Sequence, residues 1–533
     1  MENNKKTYAL LYPIFLAVTL IGGIYAGIKI GNNQNPFASR ASGGDGKDKI
    51  SNIIDLIGET YVDSVKKEEL VEDAITAILK DLDPHSYYIS AAEMASFTEP
   101  LEGNFDGIGV EFLIQEDTVF VVSSIEGGPS QKLGIQAGDK IITAGGNLIA
   151  GVGVTNDRVM SLLRGESGST VGVEIKRGEN NKLLKFKIER GQIPLHSIQT
   201  AQMVDNGVGY IKISRFAKNT YEEFMLGSEK LLKEGMTKMI LDLRGNGGGY
   251  LNTAISICEE FLNKNTLIVY TEGKSQPKRV YKSTKTGELI DIELVVLVNE
   301  GSASASEIVA GAIQDNDRGL IIGRRTFGKG LVQEHIDLKD STAIRLTVAR
   351  YFTPTGRCIQ KPYGNGIDYE EDYAGRFTHG ELLNKDSIKH DSLKYVTPKG
   401  KIVFGGGGII PDVFVPIDTM GSSVVLSELL YSGALQQFSF GYSNENRQTI
   451  KNKYKNATSF KKNFDITAKN LTDLKAFAAK KNIVYSSKDI AKSSTIIASR
   501  IKADIAKNVW GDDSFYSISL ESDNDFKEAM EKL

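Results

Sequence analysis

Three serines crowd into the turn Asn299-Glu-Gly-Ser-Ala-Ser-Ala-Ser-Glu307. The preceding Val295-Val-Leu-Val298 is apolar and mostly β-branched and reads as a buried strand. Glu307 to Gln314 carries Ile308, Val309, Ala312 and Ile313 at helical spacing. A hydroxyl on such a turn is lifted clear of the sheet, and the unpaired N–H groups of the helix's first turn face nearby negative charge. That placement suits a nucleophile. It equally suits an ordinary helix N-cap, and the cluster alone leaves both readings open.

A serine nucleophile needs a base. None of the five histidines is an obvious partner. Lysine can take the role where burial or a neighbouring cation disfavours its charged form. Lys329 lies between Gly328 and Gly330, after the apolar stretch around Ile321 and before Leu331-Val-Gln333. A lysine beside an apolar strand end can be desolvated; the alternative is a solvated loop lysine. Arg244-Gly-Asn-Gly-Gly-Gly249 looks at first like a phosphate loop, but no Gly-Lys-Ser/Thr follows and the dinucleotide fingerprint is incomplete. Phe327-Gly-Lys-Gly330 fails the same test. Without HExxH, the scattered histidines define no metal site, and His85 in a turn reads as structural.

Both turns follow buried strands, Met239–Leu243 and Leu294–Val298. Residues 206–419 alternate strand and helix, with further strands at Gly209–Ile213, Leu320–Ile322 and Arg345–Val348 and a helix at Thr220–Lys233. Such alternation predicts an α/β core with a largely parallel sheet, whose functional groups sit at the strands' C-terminal ends. Upstream, Ile50, Ile53, Ile54 and Ile57, then Leu70, Ala74, Ala77, Ile78 and Leu82, predict helices that end at Asp83-Pro84-His85-Ser86. Beyond Met420 the composition shifts to Lys, Asn, Ser and Ala, with helices expected over 471–480 and 495–509 and no chemical motif.

Between these, residues 101–191 form short β segments. Phe105-Asp-Gly-Ile-Gly-Val-Glu-Phe112, Leu133-Gly-Ile-Gln-Ala-Gly-Asp-Lys-Ile141 and a short helix bearing Val159, Leu162 and Leu163, capped by Asp157, resemble a PDZ domain. Gly107, Ile108, Gly109 and Val110 can turn successive N–H groups towards a peptide's C-terminal carboxylate while the adjacent strand pairs with the peptide. A Gly-rich hairpin without a ligand is the alternative. Arg164, at the end of the helix, reads as solvated or as a coupling residue.

A net charge of −3 with no dense basic run excludes a nucleic-acid partner, and two cysteines exclude a disulfide scaffold. Thr7 to Ile28 contains no charge and follows Lys5 and Lys6. Its length, near the ~20 residues that cross a bilayer, predicts a retained single-pass anchor, with a cleaved signal peptide as the rival reading. The short tail would then stay cytoplasmic and the bulk of the chain enter the periplasm from a bacterial inner membrane.

Asn299 to Glu307 together with Gly328-Lys-Gly-Leu-Val-Gln333 resembles the C-terminal processing peptidases, or tail-specific proteases. Leu241 to Gly249, Leu82-Asp-Pro-His-Ser86 and the Gly-rich run before Pro411-Asp412 match as well. The resemblance covers roughly residues 50 to 416 and implies Ser304 as nucleophile, Lys329 as base and Gln333 as its support. It further implies an oxyanion hole from the N–H groups of Ala305 and of Gly248 or Gly249, and no cofactor. Ser306 then reads as the helix cap. Protein substrates bound by their C-terminal tails are the implied partners, with a homo-oligomer or adaptor protein left open. The implied fold is a ClpP/crotonase-like α/β core with an inserted β-rich PDZ domain, an N-terminal helical segment and a mainly helical C-terminal extension. The expected order is an anchor over 1–30, a linker over 31–48, helices over 49–100, PDZ over 101–191, the protease domain over 192–419 and an extension over 420–533. The rival readings are a catalytically silent PDZ scaffold and an α/β enzyme that stabilises an enolate.

Overall fold

The computed structural model describes residues 17–29, 46–178, 182–364, 369, 371–388 and 393–533. The chain divides into two compact units, residues 1–88 and 89–533.

The first unit contains helices α1 (17–29), α2 (Gly46–Thr60) and α3 (Lys67–Lys80). After α3 the Asp83 carboxylate accepts the N–H groups of His85 (2.8 Å) and Ser86 (3.0 Å) and the Ser86 hydroxyl (2.6 Å). This side-chain turn, with Pro84, ends the helical pattern. The expected membrane anchor does not hold. The first residues of Thr7–Ile28 lie outside the described residues and the remainder forms α1. Among the described residues no helix is long and apolar enough to cross a membrane. A single-pass inner-membrane location with a periplasmic body is therefore withdrawn. The linker expected over 31–48 lies outside the described residues up to residue 45.

The second unit opens with α4 (Met94–Glu102) and β1 (Asn104–Gly107). Then come β2 (Val110–Gln115), β3 (Thr118–Ser124), β4 (Lys140–Ala144), α5 (Asn156–Leu163), β5 (Thr170–Lys176), β6 (Leu184–Glu189) and β7 (Gly191–Pro194). Strands β2 to β6 lie side by side in that order, so β2 has an open edge. β1 pairs antiparallel with β7, Asn104 opposite Pro194, forming a neck where the chain enters and leaves this domain. Its core holds Ile108, Val119, Val121, Ile141, Val159 and Ile175. Thr155, not Asp157, caps α5, accepting the Arg158 N–H. Asp157 falls in the first turn, where its charge suits the helix dipole.

An α/β domain follows with β8 (Ile198–Asp205), β9 (Val208–Ile213), α6 (Thr220–Lys233), β10 (Lys238–Asp242), α7 (Leu251–Glu259), β11 (Leu267–Glu272), β12 (Arg279–Lys282), β13 (Glu293–Val298), α8 (Ala305–Asp315), β14 (Leu320–Gly323), β15 (Leu331–Asp337), β16 (Ala343–Phe352) and β17 (Val413–Phe414). The main sheet runs β8-β9-β10-β13-β14-β17. Only β8 against β9 is antiparallel. Its central strands are apolar on both faces, as a sheet covered on both sides requires. The strand expected at Arg345–Val348 is not in this sheet. It belongs to β16, which pairs antiparallel with β15 and β11. Residues 344–348 of β16 are all half-buried, and its buried positions are Ala343, Ala349 and Tyr351, which share one face of the strand.

All of α8 is buried. Asp315 ends it, where a carboxylate opposes the helix dipole. The Arg357 guanidinium answers this charge, donating to Asp315 at 2.6 Å and to Gln314 at 2.7 Å, with both members of the ion pair fully buried. Arg357→Ala is expected to lower stability by about 3–5 kcal/mol, because it strands a buried carboxylate; urea unfolding measures this.

Candidate active site

β13 delivers the chain into the serine turn, and the three serines part ways there. Ser302 donates to the Leu243 carbonyl (2.9 Å) and Ser306 to the Asn246 carbonyl (2.8 Å). Both are fully buried and tie the serine turn to the glycine turn after β10. Ser304 is the member that lines a cavity of about 670 Å³. It is also the N-cap of α8, with φ 55° and ψ −112°. The expectation that Ser306 caps the helix is thus corrected: its hydroxyl is committed to Asn246. A non-glycine residue at such a φ carries strain of about 1–3 kcal/mol, held here by buried hydrogen bonds on either side.

The glycine turn presses against this serine. A Cβ on Gly248, at φ 102°, would lie 2.8 Å from the Ala303 carbonyl oxygen and 2.8 Å from Ser304 Cβ. A Cβ on Gly249 would lie 2.1 Å from the Phe216 carbonyl oxygen. Neither position accepts a side chain. The Gly248 N–H donates to Asn246 Oδ1 at 2.9 Å, so one of the expected oxyanion donors is already occupied. Gly249 and Ala305 line the same cavity as Ser304.

Lys329 Nζ donates to Gln333 Oε1 at 3.0 Å, and Gln333 lines the cavity. The loop that bears the lysine is packed from behind by the Gly405–Gly408 run. A Cβ on Gly328 would lie 3.1 Å from the Gly407 carbonyl carbon, and one on Gly408 2.5 Å from the Thr326 carbonyl oxygen.

Glu307 joins the two halves. Its Oε2 accepts the backbone N–H of Ser304 (2.9 Å) and of Lys329 (2.8 Å). Its Oε1 accepts the Gly328 N–H (2.7 Å) and the Thr326 hydroxyl (2.5 Å). Burial pushes this carboxyl up to about 7, against the four donors, which favour its charged form. On the carbonyl side, the buried Tyr351 hydroxyl lies 2.7 Å from Lys329 O and 3.2 Å from Ser304 O. A carboxylate therefore bridges the N–H groups of Ser304 and Lys329 while a phenol bridges their carbonyls. Neither residue was singled out from sequence. Glu307 was legible as the last position of Ser304-x-x-Glu307, the spacing of a capping box; Tyr351 carried no signal.

In the PDZ-like domain, the Ile108 carbonyl accepts from Ser130 N (3.0 Å) and Ser130 Oγ (2.6 Å), and the Gly109 carbonyl from Ile125 N (3.0 Å). In a trans peptide the N–H points opposite the C=O. The Gly109 and Val110 N–H groups consequently face away from the domain core. Arg164 is not merely solvated: it pairs with Glu99 of α4 at 2.6 Å and stacks over Phe105. Among the described residues no three His, Cys, Asp or Glu side chains cluster to hold a metal.

Four family profiles match the chain: the activating protease CtpB N-terminal domain over 17–93, the PDZ domain over 107–189, peptidase family S41 over 207–372 and a family of unknown function over 425–511. Carboxy-terminal processing protease CtpB of Bacillus subtilis is 34% identical over 385 residues, covering 69% of this chain and 78% of that protein. The carboxy-terminal-processing protease of Bartonella bacilliformis is 36% identical over 361 residues, covering 67% and 80%. Among solved structures, the photosystem II D1 C-terminal processing protease is 26% identical with a TM-score of 0.36, covering 70% of this chain and 93% of that one. By these matches the chain belongs to the carboxy-terminal processing proteases, PDZ-bearing serine peptidases of family S41.

Proposed function

We propose that this protein is an endopeptidase in which Ser304 is the nucleophile and Lys329 its general base, and that its PDZ domain selects protein substrates by their C-terminal tails. The carrying observation is the double bridge by Glu307 and Tyr351, which binds the backbones of these two residues to each other.

In this reading Lys329, neutral, takes the proton from Ser304 Oγ as the oxygen attacks the scissile carbonyl. Gln333 Oε1 accepts one Nζ hydrogen and turns the nitrogen lone pair towards the serine. The oxyanion is met by the Ala305 N–H, aided by the N-terminal end of α8, and by the Gly249 N–H. The Gly248 N–H joins only if Asn246 releases it. Protonated Lys329 returns its proton to the leaving amine, and water, activated by the same lysine, hydrolyses the acyl-enzyme. No cofactor enters. Leu251 and Ile308, which line the cavity beside Ser304, offer an apolar surface to the substrate.

The PDZ domain meets a terminal carboxylate with the outward N–H groups of Gly109 and Val110, while the open edge of β2 pairs with the peptide. Gly107 and Ile108 complete the loop. Replacing a substrate's terminal carboxylate by an amide is expected to lower kcat/KM by at least about tenfold, the worth of a charge-assisted contact. Equal cleavage of acid and amide would remove tail selection from the reading. The domains are assigned accordingly as 49–100, 101–191, 192–419 and 420–533.

Tyr351→Phe removes one end of the bridge without changing the ring. A fall in kcat of about 2–13-fold, the range of one hydrogen bond, is expected, with KM little changed; steady-state kinetics on a tailed peptide reads it.

A further inference from the structure

Residues 420–533 build a helical body: α9 (Val424–Tyr431), α10 (Ala434–Lys453), α11 (Ala457–Asn463), α12 (Ala468–Lys480), α13 (Ser487–Trp510), α14 (Asp512–Ser519) and α15 (Asn524–Lys532). Leu435, Phe460, Leu474, Ile497 and Ile501 give it a core of its own. What distinguishes it is that it docks in two places at once.

One surface backs the PDZ domain. Phe120 of β3 lies on the outer face of the PDZ sheet, since its neighbours Val119 and Val121 point into the core and side chains alternate along a strand. Phe440 of α10, only 2% exposed, meets the Phe120 ring edge-on at 6.0 Å between centroids. One turn further along α10, Asn444 fills the space over Gly138: a Cβ there would lie 2.2 Å from Asn444 Oδ1. Gly441 stands over Gln115 of β2, where a Cβ would sit 3.5 Å from its side-chain nitrogen. Positions 440, 441 and 444 share one helix face. The contact thus falls behind β2 and β3, the strands beside the carboxylate loop, and leaves the edge of β2 open.

The other surface closes the main sheet. Phe526, Ala529 and Met530 of α15 pack on Tyr210, Ile240, Val295 and Leu297. Thr200 of β8 donates to Asp513 at 2.6 Å. Asp523 and Asp525 hold the Arg244 guanidinium at 2.7 and 3.0 Å, at the head of the glycine turn. α13, 24 residues long, and α14 join the two docking surfaces. Apart from this body, the β1–β7 neck and the Arg164–Glu99 pair also link the PDZ domain to its surroundings.

We propose that residues 420–533 are an internal brace that fixes the position of the PDZ domain relative to the catalytic sheet. The brace holds the peptide-binding strand from behind and so sets the reach from a captured tail to Ser304. That reach makes the enzyme measure cleavage from the substrate's C-terminus. The measuring consequence rests on the catalytic and tail-binding reading above, whereas the brace itself does not.

The test reads position without catalysis. Spin labels at Lys187→Cys on β6 and Lys264→Cys in the catalytic domain, with Cys358→Ser, report the distance between the domains in the full chain. A single narrow distance distribution is expected. Phe440→Ala and, independently, Phe120→Ala should each raise the displaced population by roughly thirtyfold, the effect of removing a buried aromatic anchor. Both residues lie outside the hydrophobic cores of their own domains, so each domain keeps its fold. A broad distribution in the parent chain, or distributions in both variants that match the parent, would overturn the brace. A substrate series with tails of increasing length separates the second claim: a sharp length optimum in the parent that flattens in Phe440→Ala is expected. Braced domains without any length optimum would overturn the measuring role alone.

Discussion

Ser304→Ala is expected to lower kcat by about 10⁶-fold, the scale on which loss of a serine nucleophile acts, while the unfolding transition stays in place or falls only slightly. The expectation follows from how the three serines are used. Ser302 and Ser306 are fully buried and bound to the Leu243 and Asn246 carbonyls, so neither can substitute as nucleophile without dismantling the turn. The Ser304 backbone is strained at φ 55°, and alanine at the N-cap relieves none of that strain. Stability therefore has no reason to fall by more than about 1 kcal/mol, the worth of a cap. Residual cleavage above a hundredth of the parent's would mean that another group attacks the substrate.

The second large effect is at Glu307. Glu307→Ala strands three backbone N–H groups and the Thr326 hydroxyl in a buried site. At about 1–3 kcal/mol for each stranded group, the expected loss of stability is several kcal/mol. Glu307→Gln keeps the volume but presents an amide NH₂ to donors. It should fold, yet lose about a hundredfold in kcat, the scale of a misplacement near 1 Å. The pH dependence has a definite sign. The folded carboxyl is raised from 4.5 to about 7, so the folded state holds a proton that the unfolded chain releases. Its contribution to stability is fully present below about 4.5 and is lost as pH rises through about 7. Activity runs the other way, because four donors require the carboxylate: kcat should climb through pH 7 in the parent. Glu307→Gln should lack this limb. A limb that persists in Glu307→Gln would assign the titration elsewhere.

The fold was largely legible because its signals are local. Buried runs such as Val295–Val298, flanked by small-residue turns, read directly as parallel strands. The Gly-Ile-x-Ala-Gly-Asp-x-Ile run marked the PDZ domain. Where sequence reasoning failed, the decisive facts were long-range or quantitative. An uncharged N-terminal run was long enough on paper, yet no described helix spans a membrane. Arg345–Val348 reads as a strand, but the sheet it joins is set by its pairing with Leu331–Asp337 and Leu267–Glu272, which its own spacing does not encode. Glu307 was visible as a capping residue, but its second task needs the lysine loop, 22 residues on, to fold back onto the same carboxylate. Tyr351 bridges two turns that lie 47 and 22 residues away within its own domain, and the brace depends on packing across domains; no spacing rule encodes either.

The central claim is that Ser304 is made nucleophilic by Lys329. An acylating serine probe, followed by peptide mapping, tests it most directly. The account predicts stoichiometric labelling of Ser304 in the parent chain and none in Lys329→Ala, with the Lys329→Ala chain folded by its unfolding transition. Labelling at another residue, or undiminished labelling of Ser304 in Lys329→Ala, would contradict it.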